Sequence, residues 1–313
     1  MIQGRIENWG EAPSVIDGPE PEPQTGEALV RMLATSLNPV DIAIASRRFY
    51  GAVPPPPFIP GNELVGEVIE SVEHPAGTRV WCHCTAGGFA ELAAVPEERM
   101  VPVPSGVSDE LAVALGVAGI AGWMAVRERA DLTLTDEVLV LGASGVVGQV
   151  AVKAAASAGN RVIAAGRNAR ALAGLGAHAT VDLTAEDLRQ EIAAAAPDGV
   201  DVVIDMVWGQ AAVAAIGALR HNGRIIQVGN ASGPIVEMPA GPFRGGRLDL
   251  RGYSIYSERW EDVASAYSEI CLMAAAGQID LPLEIVTLRE LPEAWERQVR
   301  FATGGKKLVL LPD

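Results

Sequence analysis

Cysteine, aromatic side chains and positive charge are all scarce in this chain. Three cysteines in 313 residues, Cys82, Cys84 and Cys271, cannot build a disulfide framework, and they suit a reducing compartment. Cys82-His83-Cys84 groups metal-ligand types closely, yet on an extended segment its thiols face one side and its imidazole the other, which disfavours closure on one ion. His74, His178 and His221 are isolated and receive no role. Basic residues number 24 against 39 acidic ones, and the net charge of −15 sets up a field that repels nucleic acid and anionic membranes. Neither is an expected partner. No early stretch joins a basic region to an apolar one, and no apolar run reads as long enough to cross a bilayer, so a cytoplasmic location is expected. With 49% hydrophobic and 20% charged residues, the composition is that of an ordinary globular protein with room for two cores.

Glycine, by contrast, is plentiful at 34 residues, and the run Gly142-Ala143-Ser144-Gly145-Val146-Val147-Gly148 is the most informative. Glu137–Leu141 before it reads as a buried strand, and Val146–Ala158 after it as a small-residue helix. Backbone N–H groups at such a helix start, together with aligned peptide dipoles, suit the pyrophosphate of a dinucleotide. Ala143 stands in the first of the fingerprint's three glycine slots, with Gly145 and Gly148 in the others. A second strand, Arg161–Ala165, follows at the spacing of a βαβ unit, and further strands are readable at Ala179–Asp182, Asp201–Asp205 and Arg224–Gly229. A doubly wound parallel sheet of Rossmann type is predicted. Gly166-Arg167 occupies the end of the second strand, where an acidic residue would select unphosphorylated ribose. An arginine about 4 Å from a phosphate is attracted by roughly 4 kcal/mol per charge pair at an effective dielectric near 20, before desolvation is subtracted. NADPH is therefore the expected cofactor, although Asp182 after the third strand argues against it.

The first hundred residues differ in texture. Proline-rich connections at 19–23 and 53–60 separate strands expected at Glu27–Leu33, Leu64–Ser71, Thr78–Cys82 and Glu91–Val95, a mainly β region. Asp109–Arg129 reads as a helix crossing between domains, and a sixth cofactor-domain strand is expected near Leu248–Tyr253. Beyond it come a long amphipathic helix at Glu258–Ala276, strands at Ile285–Leu288 and Lys307–Leu311, and a short helix at Leu291–Ala302. The resulting plan places residues 113–255 in the cofactor domain, with 1–112 and 256–313 together forming the other.

Five segments, in order around the glycine turn, resemble the medium-chain dehydrogenase/reductase superfamily, and within it the zinc-independent quinone oxidoreductases, the zeta-crystallin-like branch. They are Ser36-Leu37-Asn38-Pro39-Val40-Asp41, Pro60-Gly61-Asn62-Glu63-Leu64-Val65-Gly66-Glu67-Val68, Val117-Ala118-Gly119-Ile120-Ala121-Gly122-Trp123, Gly229-Asn230-Ala231-Ser232-Gly233 and Gly305-Lys306-Lys307-Leu308-Val309-Leu310. The resemblance implies an α/β chain in which a GroES-like, mainly β catalytic domain accompanies the Rossmann domain. It also implies hydride transfer from NADPH to a quinone or an α,β-unsaturated carbonyl, an enone or enoyl acceptor. Zinc-dependent members carry Cys and His where this chain has Asn38 and Asn62, and an amide supplies neither thiolate nor imidazole. A zinc alcohol dehydrogenase is thus disfavoured, and no metal is expected.

By the same resemblance, Asn38 and Tyr50 are the catalytic candidates, Asn38 as hydrogen-bond partner of the developing oxyanion or of a nicotinamide ribose and Tyr50 as proton donor. Cofactor contacts are expected from Gly142 to Gly148, Gly166, Arg167, Val207, Val228, Gly229, Asn230 and Ser232. Lys306 or Lys307 would reach the phosphates. A homodimer joined through the strand near Leu248–Tyr253 is implied as well. Ala121 and Ala43 depart from residues usual in the family, which leaves the acceptor open and keeps alive an NADPH-binding protein with a sensor or structural role.

Overall fold

Short strands separated by proline-rich loops fill the N-terminal third of the computed structural model, which describes residues 1–84 and 86–313. Strands β1 (Ile2–Arg5) and β2 (Ser14–Asp17) form an antiparallel ribbon. They are followed by β3 (Glu27–Ser36), helix α1 (Pro39–Ala45), β4 (Glu63–Glu70), β5 (Arg79–His83), β6 (Leu92–Pro96), β7 (Met100–Pro102) and helix α2 (Asp109–Ala114). Strand β3 alternates between buried and more exposed positions along much of its length, as a sheet with one packed face requires.

The second unit begins with helix α3 (Ile120–Met124) and continues as β8 (Glu137–Leu141), α4 (Val146–Ser157), β9 (Arg161–Gly166), α5 (Ala169–Ala173), β10 (Ala179–Asp182), α6 (Leu188–Ala195), β11 (Val200–Asp205), α7 (Gly209–Ile216), β12 (Leu219–Gln227), α8 (Ala240–Gly246) and β13 (Asp249–Gly252). Its six strands are all parallel, in the order β10-β9-β8-β11-β12-β13. Both faces are covered, which is why β8 and β9 are nearly continuous Val, Ile, Leu and Ala rather than alternating. Leu139, Leu141, Ile163, Val203 and Ile225 centre the core, and fully burying each such side chain contributes about 1.5–3 kcal/mol.

Helix α9 (Trp260–Ala275), β14 (Leu283–Thr287), α10 (Leu291–Val299) and β15 (Lys307–Leu311) return to the first unit. There the sheet order is β14-β15-β3-β4-β5-β7, with β6 also paired to β3. The two units are Met1–Ala118 with Trp260–Asp313, and Gly119–Arg259. Their limits lie a few residues beyond the 112/113 and 255/256 expected from sequence, because the change in residue texture precedes the change in packing.

The helical run Asp109–Arg129 corrects one expectation. It is long and apolar enough to cross a bilayer, but 78% of its most apolar window is buried inside the protein, as in a core helix. The run breaks at Gly116, whose φ of −60° and ψ of −121° leave the helix. Strands β1, β2 and β7 were not anticipated, since each is short and lacks a clear alternation.

Candidate active site

The parallel sheet has two unlike edges. At the N-terminal edge, Glu137 pairs with Arg161 and Arg220, Arg220 with Asp201, and Arg224 with Asp136. At the C-terminal edge the register places Ala165, Leu141, Asp205 and Gln227 in one row across β9, β8, β11 and β12. The residues that immediately follow this row are Gly166, Gly142, Met206 and Val228, so most sequence-predicted cofactor residues emerge side by side. This edge contains the place where strand order reverses, between β8 and β11, which is where open α/β sheets bind ligands.

Gly142 turns the chain at φ +84°, and the N–H groups of Gly142 and Ala143 both donate to the Ala165 carbonyl at 2.9 Å. Gly145 then caps α4 in an extended conformation and offers no side chain to the helix's first turn. The fit to a pyrophosphate rests on Gly148. A Cβ there would stand 2.4 Å from the Gly142 carbonyl oxygen, so only glycine lets the helix start settle against the turn. Ala143 is buried beneath it, whereas Gly145 is exposed and Ser144, Val146 and Val147 are half-buried.

Two loops flank the turn and are bonded to each other. Ala231 N–H donates to the Met206 carbonyl at 3.2 Å, Ser232 N–H to Val207 at 2.8 Å, and Val228 and Gly229 N–H to Asp205 at 2.8 and 3.1 Å. Val207, Val228, Gly229, Asn230 and Ser232 are thereby gathered at one end of the sheet. Beside them opens a cavity of about 470 Å³ lined by Trp208, Gln227, Asn230, Pro234, Leu250 and Gly252.

Asp205 and Trp208 went unnoticed in the sequence. Trp208 has a φ of +63°, unusual for a bulky residue, and its N–H and that of Val207 both donate to Asp205 Oδ1 at 2.8 Å. Burial pushes the Asp205 carboxyl up to about 6, against those two bonds. A carboxyl raised in the folded state stabilises fully below its unfolded value near 4 and loses that contribution as pH rises through about 6. Asp205→Asn keeps an oxygen for both N–H groups, so it is expected to remove on the order of 2 kcal/mol of stability loss between those limits. Urea unfolding of both proteins across that range checks the slope.

Arg167 is exposed at the end of β9. Asp182, its potential competitor, lies opposite Gly166, and its carboxylate accepts from Thr184 N–H at 2.8 Å and Thr184 Oγ1 at 2.7 Å, which hold it below the usual range. That acid is tied into its own turn.

The remaining candidates lie in the other unit. Tyr50 is 73% exposed on the loop after α1, its ring 4.7 Å from that of Phe49. Lys306 is exposed just before β15. Asn38, by contrast, is buried. Its Nδ2 donates to Glu63 Oε1 at 2.8 Å and to Ser36 O and Oγ at 3.3 Å, while its Oδ1 accepts from Lys307 Nζ at 2.5 Å. The amide is committed inward on both ends. Lys307 is likewise buried, so of the two candidate lysines only Lys306 faces solvent.

Cys82 and Cys84 are buried, with the Cys84 thiol pushed up to about 12 by burial. His83 stacks against Trp81 and Trp260, and burial lowers it to about 4. Among the described residues no group of three or more His, Cys, Asp or Glu is arranged to hold a metal ion.

Comparison with known proteins agrees with this architecture. The family described as alcohol dehydrogenase GroES-like domain matches residues 24–105, and that described as zinc-binding dehydrogenase matches 146–269. The quinone oxidoreductase of Mus musculus is 30% identical over 69% of this chain and 68% of its own length. A quinone oxidoreductase-like protein 2 homolog of Nematostella vectensis is 31% identical over 69% of this chain; the match spans only 61% of that relative. The crystal structure of Escherichia coli quinone oxidoreductase complexed with NADPH superposes with a TM-score of 0.91 at 21% identity, covering all of both chains. The chain belongs to the medium-chain dehydrogenase/reductase superfamily, in its quinone oxidoreductase branch.

Proposed function

We propose that this chain is a zinc-independent oxidoreductase that moves a hydride from NADPH to a quinone or an α,β-unsaturated carbonyl. The observation that carries the reading is the row of strand ends at Gly142, Gly166, Met206 and Val228, with Gly148 opening the helix start to a pyrophosphate. NADPH supplies the hydride when bound. Gly142–Gly148 would hold its pyrophosphate through backbone N–H groups, and Arg167 its 2′-phosphate. Val207, Val228, Gly229, Asn230 and Ser232 would line the nicotinamide half.

The names of the mouse and Nematostella relatives support a quinone as acceptor, and prostaglandin reductase-3 of Mus musculus, 32% identical over 75% of this chain, supports an unsaturated carbonyl. Tyr50, which faces solvent, is the proposed proton donor. Asn38 is reassigned from oxyanion donor to a part of the buried framework, because its amide hydrogens are already used. An amide oxygen held by an ammonium is also a poor ligand for a divalent cation, which supports zinc independence.

Mixing the protein with NADPH and a panel of quinones and enones, and following loss of the reduced nicotinamide's absorbance, tests the proposal. Tight NADPH binding without turnover on any acceptor would favour a sensor or structural role. Arg167→Asp is expected to weaken NADPH binding at least tenfold while NADH binding changes little, as titration of each nucleotide will show. We extend the proposal to a homodimer formed through the β13 edge, where Leu250 is partly exposed, and to a cytoplasmic setting consistent with three free, buried thiols. Light scattering tests the first of these.

A further inference from the structure

Lys307 opens β15, and the register places that strand beside the end of β3: Val309 lies opposite Ser36, and Leu37 N–H donates to the Leu308 carbonyl at 3.1 Å. Its side chain is therefore delivered to the buried start of α1. Lys307 is 3% exposed, Asp41 1% and Glu63 0%, so a cation and two acids share one interior. A buried ammonium without partners is strongly unfavourable. Here Nζ donates to Asn38 Oδ1 at 2.5 Å and to the Leu37 carbonyl at 3.3 Å.

The Asn38 amide is thus held from both ends, with its oxygen on the ammonium and its Nδ2 on Glu63 Oε1. A flipped amide would set its NH2 against the ammonium and its oxygen against the carboxylate, two repulsive contacts in place of two attractive ones. Glu63 Oε2 in turn accepts from Trp81 Nε1 at 2.9 Å and from Val117 N–H at 2.6 Å. Val117 directly follows the break at Gly116, where the backbone lies so close to Glu63 that a Cβ would stand 1.9 Å from Oε2.

We propose that Lys307 is a positioning residue whose charge, relayed through the Asn38 amide, holds Glu63 on the Val117 N–H and so fixes the break in the 109–129 helix. The centre is a cation site whose cation is supplied by the chain itself. This inference is independent of the proposed reaction.

Hydrogen exchange on the full-length, 15N-labelled protein tests it. In the wild type, one lysine ammonium is expected to give a slowly exchanging NH3⁺ signal with a through-space contact to Asn38. In Lys307→Met, exchange at the Val117 amide and the Trp81 indole N–H is expected to quicken at least tenfold relative to other sheet amides of the same unit. Lys306→Met, one residue away but exposed, should leave both unchanged. Absence of a protected ammonium in the wild type overturns the proposal whether or not the variant folds. Uniform quickening across the unit in Lys307→Met, or no change at Val117, overturns the relay.

Discussion

Gly148→Ala is expected to raise the dissociation constant for NADPH at least tenfold and to cost about 1–3 kcal/mol of stability, the usual range for overpacking. The added methyl would meet the Gly142 carbonyl oxygen at 2.4 Å and the Ala143 Cα at 2.6 Å, both backbone atoms that no side-chain rotation can clear. Relief requires α4 to move away from the turn. That movement withdraws the very N–H groups proposed to hold the pyrophosphate, so affinity and stability should fall together. Nucleotide titration and urea unfolding on the same preparation check both. A variant that binds NADPH like the wild type would show that the turn does not receive the nucleotide.

The second large effect is expected at Glu63. Its carboxylate accepts four hydrogen bonds, from Ser36 Oγ at 2.5 Å and Asn38 Nδ2 on one oxygen, and from Trp81 Nε1 and Val117 N–H on the other. Glu63→Gln preserves volume but turns one of those oxygens into a donor; with its oxygen kept on Trp81 Nε1 and Val117 N–H, its NH2 meets the Ser36 hydroxyl, which can turn to accept, and the Asn38 NH2, which cannot. The expected cost is about 1–3 kcal/mol, set by that one opposed buried donor rather than by lost packing. Glu67→Gln, four residues along the same strand, makes a useful control. Glu67 meets Arg31 at 3.6 Å with both side chains well exposed, so its loss should stay within about 0.5 kcal/mol. Equal unfolding midpoints for the two variants would contradict this account of the buried centre.

These two residues also show how far the sequence can be read. Gly148 was legible because a strand, a glycine turn and a small-residue helix announce themselves locally, and the parallel strands around them are long apolar runs. The role of Glu63 was not, since its partners come from β3, the start of α1, β5 and a helix break, none adjacent in sequence. Lys306-Lys307 shows the limit more sharply. Lys306 lies just before β15 and Lys307 opens a strand buried from its first residue through Leu310, but two identical neighbours carry no signal as to which of them begins the strand. The motif around Asn38 is legible in the sequence, but the inward aim of its amide is not, because that orientation depends on Lys307 and Glu63. Asp182 stays exposed opposite Gly166, and its bonds to Thr184 fix the direction of its carboxylate while favouring its charge, which still opposes a 2′-phosphate.

A crystal structure of the protein with NADPH tests the central claim most directly. The account predicts the pyrophosphate against the backbone N–H groups between Ser144 and Gly148, with the 2′-phosphate within reach of Arg167. A nucleotide bound away from that turn, or no binding at saturating NADPH, would contradict it.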